Sequence, residues 1–141
     1  MKKPERKRIL FICTHNSARS QMAEGLVRSL FGDRIEPASA GTEPSRLHPY
    51  AVRVMAEIGI DISRHKAKSL QDFLGEKFDT VVTVCDQAQE ACPSFPGARE
   101  TLHKSFPDPS AAQGSEEGVL EVFRRVRDDI KSWVVEMFGK K

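Results

Sequence analysis

No stretch of these 141 residues is apolar for long enough to cross a bilayer. The apolar run Ile9 to Ile12 is also far too short for the core of a secretory signal. Charge is nearly balanced: 22 Lys and Arg against 20 Asp and Glu leave a net +2. That is too little for a nucleic-acid surface, and the basic N-terminal stretch lacks the interleaved aromatics such a surface needs. There is no internal repeat and no low-complexity tract, and proline and glycine are dispersed rather than gathered into a linker. One domain spanning 1–141 is therefore expected, with 1–7 and 139–141 as flexible tails. Cysteine is scarce and odd in number: Cys13, Cys85 and Cys92. That argues against a disulfide framework and for a reducing cytoplasm, where thiols are catalytic, metal-binding or simply buried. No metal site is expected, because Cys85 and Cys92 lack the close pairing of structural zinc ligands and His103 would complete a site only by drawing Cys13 away from its own surroundings.

What is present alternates between strand and helix patterns. Apolar runs at Ile9 to Ile12 and Val81 to Val84 predict buried parallel strands, with a further strand over Ile35 to Ala40 and a weaker one over Thr101 to Phe106. Ala23, Leu26, Val27 and Leu30 mark one helical face. Ala51, Val54, Met55 and Ile58 mark another, opened by Pro49 and closed by Gly59. From Glu116 to Phe138, with Ser115 as cap, Val119, Phe123, Val126, Ile130, Val134 and Met137 recur at helical spacing. The pattern predicts a doubly wound, three-layer α/β sandwich around a parallel sheet of about four strands.

The segment Cys13-Thr14-His15-Asn16-Ser17-Ala18-Arg19-Ser20 joins the first strand to the first helix. In that setting successive backbone N–H groups converge with a helix N-terminus behind them, which suits a tetrahedral oxyanion. Thr14, His15, Asn16, Ser17, Ala18 and Arg19 are the candidate binding residues, with Arg19 as a bidentate clamp. Cys13 lies where positive potential favours the nucleophilic thiolate, and Ser20 is placed to donate to its sulfur. Asn16 is the candidate left-handed residue of the turn. A cysteine ending an apolar strand is also an ordinary buried hydrophobe, but the spacing to Arg19 and Ser20 favours chemistry.

Asp108 is held between Pro107 and Pro109. It reads either as a general acid on a stiffened loop or as a helix cap followed by proline. Cys85 ends a strand pattern as Cys13 does, and in a parallel sheet such ends gather on one edge. Cys92 lies seven residues further on, about 10 Å away along a regular helix. A Cys85–Cys92 disulfide would require that segment to bend, since the bond spans about 4.4–6.8 Å between α-carbons. His48 precedes Pro49 at a helix start; His15, His65 and His103 receive no role.

The run CTHNSARSQMAEG from Cys13 to Gly25 resembles the active-site loop of arsenate reductases built on the low-molecular-weight tyrosine phosphatase fold. The resemblance continues through Ser39-Ala40-Gly41, Gly59 to Ser63, Val81 to Cys85 with Cys92 beyond, and Asp108-Pro109. It implies detoxifying reduction of arsenate to arsenite by a relay in which Cys13 attacks arsenic, Cys85 attacks Cys13, and Cys92 takes over the disulfide. Arg19, Ser20, Asp108 and the loop amides would handle the oxyanion. The implied reductant of the redox-active disulfide is thioredoxin, with glutaredoxin or glutathione as the alternative, and the implied protein is a cytoplasmic monomer with no other cofactor. A phosphatase would use only Cys13, Arg19 and Asp108, leaving two thiols surplus; a redox-sensing or oxyanion-binding module without turnover is the third reading. Some reductases of this group hold potassium with residues equivalent to Asn16 and Ser39 and an acidic side chain. Lys68 stands at that acidic position, so its ammonium is expected in place of the ion, unless it is a solvated surface charge. Ser105-Phe106-Pro107 and Ala18 also depart from the family's usual residues.

Overall fold

β1 (Lys7–Cys13) is the central strand of a computed structural model that describes residues 6–86, 95 and 97–139. Its consecutive residues Ile9, Leu10, Phe11 and Ile12 are each no more than 2% exposed. Neighbouring strand residues point to opposite faces, so both faces of the sheet are covered here. Burying each such side chain stabilises the fold by about 1.5–3 kcal/mol before the cost of ordering it.

The sheet runs β2 (Ile35–Gly41), β1, β3 (Phe78–Thr83), β4 (Ala98–His103), and every pairing is parallel. Pro37, which cannot donate to a ladder, is tolerated because β2 is an edge. α1 (Arg19–Phe31) follows β1, α2 (Pro49–Ala56) follows β2, and α3 (Glu116–Phe138) closes the described chain. The α/β architecture with its parallel four-stranded sheet agrees with the sequence pattern.

Local chemistry sets the helix ends. His48 caps α2 by accepting the Tyr50 amide on Nδ1, with Pro49 in the first turn, and Gly59 takes the positive φ (80°) of the turn that follows. Ser115 caps α3 through the Gly118 amide, with Glu116 and Glu117 favourably placed in the first turn. Leu120, Phe123, Val126, Ile130 and Val134 form its buried stripe. Arg127 shares that face, donating to the Val54 carbonyl (2.9 Å) and pairing with Glu57 (3.0 Å).

Several expectations need correcting. The weak strand lies at Ala98–His103, not at 101–106, because Phe106 is buried beyond the strand while much of β4 faces solvent. Leu30 and Met137 are 41% and 42% exposed, since each sits near the end of its helix past the core. Lys7 belongs to β1 rather than to a tail: it pairs with Ile35, and its amide donates to the Arg34 carbonyl. Gly139 likewise donates to Val135 as the cap of α3. Arg6 is held as well, donating to the Gly32 carbonyl (3.2 Å) and pairing with Glu36 (3.5 Å); 1–5 and 140–141 lie outside the described residues.

Candidate active site

Between β1 and α1 the chain turns through Asn16, a non-glycine residue with positive φ (52°), as that position requires. The carbonyls of Cys13, Thr14, His15 and Ser17 accept from the amides of Thr42, Glu43, Ser45 and His48, at 2.8–3.2 Å. Because a trans peptide points its C=O and N–H in opposite directions, these bonds turn the following amides toward the hollow of the loop. The Asn16 amide accordingly donates to Cys13 Sγ at 3.3 Å. The hollow is a concave array of donors suited to an anion.

The loop is braced from beneath. Asn16 Oδ1 accepts from the Lys68 amide (2.8 Å) and from Gln21 Nε2 (3.0 Å). Gly41 approaches so closely that a Cβ there would lie 2.6 Å from the Thr14 carbonyl oxygen and 3.0 Å from the Asn16 nitrogen. Cys13 is 2% exposed, and its sulfur lies 2.8 Å from Ser20 Oγ. Ser20 Oγ accepts from Asn16 Nδ2 at 2.8 Å, leaving its own hydrogen free to point at the sulfur.

Arg19 opens α1 and is largely enclosed. Its Nη1 donates to the Phe106 carbonyl (3.1 Å), and its Nη2 lies 3.7 Å from Asp108 Oδ2. Asp108 also caps the short turn Pro109–Ala111, its Oδ1 accepting from the Ser110 amide and hydroxyl. Both readings of this residue therefore coexist in one carboxylate. Burial opposes its ionisation, but the donors of Ser110 and the positive charge of Arg19 outweigh that and hold its carboxyl below the ordinary aspartate range.

β3 runs parallel beside β1, with Ile12 opposite Thr83, and the Val84 amide donates to the Ile12 carbonyl at 2.9 Å. This register brings Cys85, 3% exposed, to the same sheet edge as Cys13. Cys85 Sγ lies 3.4 Å from Thr14 Oγ1, so the loop residue next to Cys13 touches the second thiol. Both are free thiols. Cys92, and the segment expected to bend, lie outside the described residues. Ala18 is buried and Ser17 partly so, while exposed His15 bonds the Glu43 carbonyl (2.9 Å) at the rim. An open cleft of about 560 Å³, lined by Thr14, His15, Thr42, Glu43, Ser69, Leu70 and Gln71, adjoins it.

Sequence reasoning missed Gln21, Glu24 and the close approach of Gly41. Glu24 is 4% exposed, its Oε1 accepting from Ser39 Oγ (2.6 Å) and its Oε2 from Arg28 (2.7 Å). Lys68 Nζ lies 3.5 Å from Glu24 Oε1 and 3.1 Å from the Lys66 carbonyl. Lys68 is thus an ion-pair partner of a buried carboxylate, not a freely solvated charge. Burial would raise the Glu24 pKa, but Lys68, Ser39 and Arg28 together carry it below the ordinary value. The one sequence signal was a carboxylate set between Ala23 and Gly25 on an apolar helix. Among the described residues, no group of three or more His, Cys, Asp or Glu side chains is placed to hold a metal, and no helix is long and apolar enough to cross a membrane.

The model of the low molecular weight phosphotyrosine protein phosphatase family matches residues 8–141. The chain belongs to this family. Within it, the chain is 46% identical over 125 residues to an arsenate reductase of Halalkalibacterium halodurans, covering 89% of this chain and 90% of that one. It is 44% identical over 126 residues to the Bacillus subtilis arsenate reductase, covering 89% and 91%. Among solved structures, an arsenate reductase in the phosphate binding state superimposes with a TM-score of 0.82 at 34% identity, over 94% of this chain and 97% of that one. A low molecular weight protein tyrosine phosphatase from T. tengcongensis gives 0.74 at 28% identity, over 96% and 99%. For a member of this phosphatase family, the informative feature is the second buried thiol. Hydrolysing a phosphate ester has no use for Cys85 against the anion loop.

Proposed function

We propose that this chain reduces arsenate to arsenite through Cys13, Cys85 and Cys92 in turn, as part of arsenic detoxification. The observation that carries this reading is Cys85 Sγ, 3.4 Å from Thr14 Oγ1 in the loop that begins with Cys13. Arsenate sits among the loop amides with Arg19 on its oxygens. The Cys13 thiolate attacks arsenic, forming an S–As bond. Asp108 gives its proton to the departing oxygen, which leaves as water. Although Asp108 is ionised in the free protein, an arriving oxyanion engages Arg19 and adds negative charge beside the carboxylate, both of which favour its protonated form.

Cys85 thiolate next attacks Cys13 sulfur. The S–S bond forms as the S–As bond breaks, and its electron pair passes to arsenic, which leaves as arsenite. Cys92 then attacks Cys85 and frees Cys13. A thioredoxin dithiol reduces the Cys85–Cys92 disulfide, two electrons balancing the two taken by arsenic. Lys68 fills the position of a structural cation. Its ammonium pairs with the Glu24 carboxylate, while Asn16 Oδ1 accepts from the Lys68 amide and Ser39 Oγ donates to Glu24, so the oxygen groups that would surround a cation are already engaged. The protein is read as a single domain acting as a cytoplasmic monomer, in the compartment that keeps such thiols reduced.

The test is arsenate-dependent NADPH consumption with thioredoxin and thioredoxin reductase, arsenite being measured in the same tube. Arsenite equal to the NADPH consumed supports the whole scheme. Turnover only with glutaredoxin and glutathione replaces the reductant. Absence of turnover with both, alongside rapid aryl phosphate hydrolysis unaffected by Cys85→Ser, would overturn it in favour of a phosphatase.

A further inference from the structure

His103, the last residue of β4, lies opposite Thr83 in the sheet. Its Nδ1 lies 2.8 Å from Thr83 Oγ1, and its Nε2 lies 2.9 Å from Asp86 Oδ1. One imidazole therefore clasps the residues on either side of Val84 and Cys85. Both ring nitrogens are thus engaged, Nδ1 with the Thr83 hydroxyl and Nε2 with the Asp86 carboxylate. Thr83 and Val84 are also fixed by the sheet: their carbonyls accept from the amides of Lys104 and Phe106, and the Val84 amide donates to Ile12. Beyond Val84 the chain leaves that ladder, and among the described residues Asp86 is tied back to the sheet through the His103 side chain.

We infer that His103 is a positioning residue for Cys85, holding its thiol against Thr14 so that it lies in line to attack the sulfur of Cys13. The inference rests on the proposed relay. Attack of a thiolate on sulfur demands near-linear approach, and a displacement of about 1 Å at a reacting centre can cost roughly 10²-fold in rate. Among the described residues the His103 ring bonds Thr83 and Asp86 and not the anion loop, so its influence should fall on the Cys85 step and leave anion binding alone.

The experiment uses the full chain in a Cys92→Ser background, where the Cys13–Cys85 disulfide is the end point. After mixing with arsenate in the absence of other thiols, arsenite release and disulfide formation are followed in a single turnover, and phosphate affinity is measured separately. His103→Ala is expected to slow disulfide formation about tenfold with phosphate affinity unchanged. Asp86→Ala should do the same, and because this side chain is 74% exposed the substitution does not burden the core. The double variant should be no slower than His103→Ala, and His103→Gln, which keeps a donor for Asp86, should recover most of the rate. Wild-type rates in His103→Ala and Asp86→Ala overturn the inference. So does a loss of phosphate affinity equal to the loss of rate, which marks a general structural role. Cys85→Ser is run alongside: arsenite release at the wild-type rate in that variant means that the relay itself has failed, a result separate from the behaviour of His103.

Discussion

The Ser20 hydroxyl accepts from Asn16 Nδ2 and lies 2.8 Å from Cys13 Sγ, so its hydrogen is free for the sulfur. Hydrogen bonds to charged groups contribute about 1.5–3 kcal/mol. Ser20→Ala should slow alkylation of Cys13 by iodoacetamide at pH 7 at least tenfold and slow arsenate turnover in parallel. Stopped alkylation with peptide mapping reads the first, and the coupled NADPH assay reads the second. Equal alkylation rates in the two proteins would show that the sulfur does not depend on this donor.

Gly41 makes a different demand, for space. A methyl group at 41 meets the backbone of Thr14 and Asn16, neither of which can move without opening the loop. Gly41→Ala should lower stability by about 1–3 kcal/mol and weaken phosphate binding tenfold or more. Urea unfolding and calorimetric titration with phosphate check the two effects independently.

Glu24 yields a pH dependence with a definite sign. Its carboxyl titrates below the ordinary 4.5 in the folded chain, so the unfolded state binds the proton first as pH falls. The stability it contributes is fully present above that ordinary value and is lost as pH falls through the lower folded one. Glu24→Gln should cost about 1–3 kcal/mol at pH 7, and its deficit against wild type should shrink below pH 4.5. Denaturant unfolding of both proteins across this range decides it; a deficit that does not change with pH would contradict the assignment.

For Lys68, replacing sodium with potassium at constant ionic strength should leave turnover unchanged. Lys68→Gln removes the ammonium beside Glu24 and should lower stability and activity together. A several-fold rate increase with potassium in the wild-type chain would refute the substitution of side chain for ion.

What the sequence disclosed follows from how locally each feature is encoded. β1 and α3 announce themselves through continuous or periodic apolar residues, and Ser115 marks its helix start because a cap needs only neighbours. Cys13, Arg19 and Ser20 were legible for the same reason: the anion loop is a short continuous segment. β4 was misplaced because Arg99, Glu100 and Thr101 face solvent, so an edge strand shows no alternation. Glu24 and Gln21 escaped notice because their partners Ser39, Lys66 and Lys68 are distant in sequence. Pairings of that kind leave no periodic trace. Asp108 was visible only as a choice between cap and acid, and the structure shows one oxygen capping the turn and the other facing Arg19.

α1 carries Arg19 and Ser20 on its first turn, and every residue from Ser20 to Val27 is buried. A helix whose first two turns are enclosed in this way is poorly placed to tilt toward a ligand, so the oxyanion meets a receptor already assembled. Such a rigid seat has no means of telling phosphate from arsenate, anions of the same shape and charge. Discrimination must then arise after occupancy, in the competition between departure of the anion and attack by a thiol. Phosphate becomes a competitive inhibitor and arsenate a substrate by kinetic partition, and the chemistry of sulfur takes over the selective role that affinity plays elsewhere.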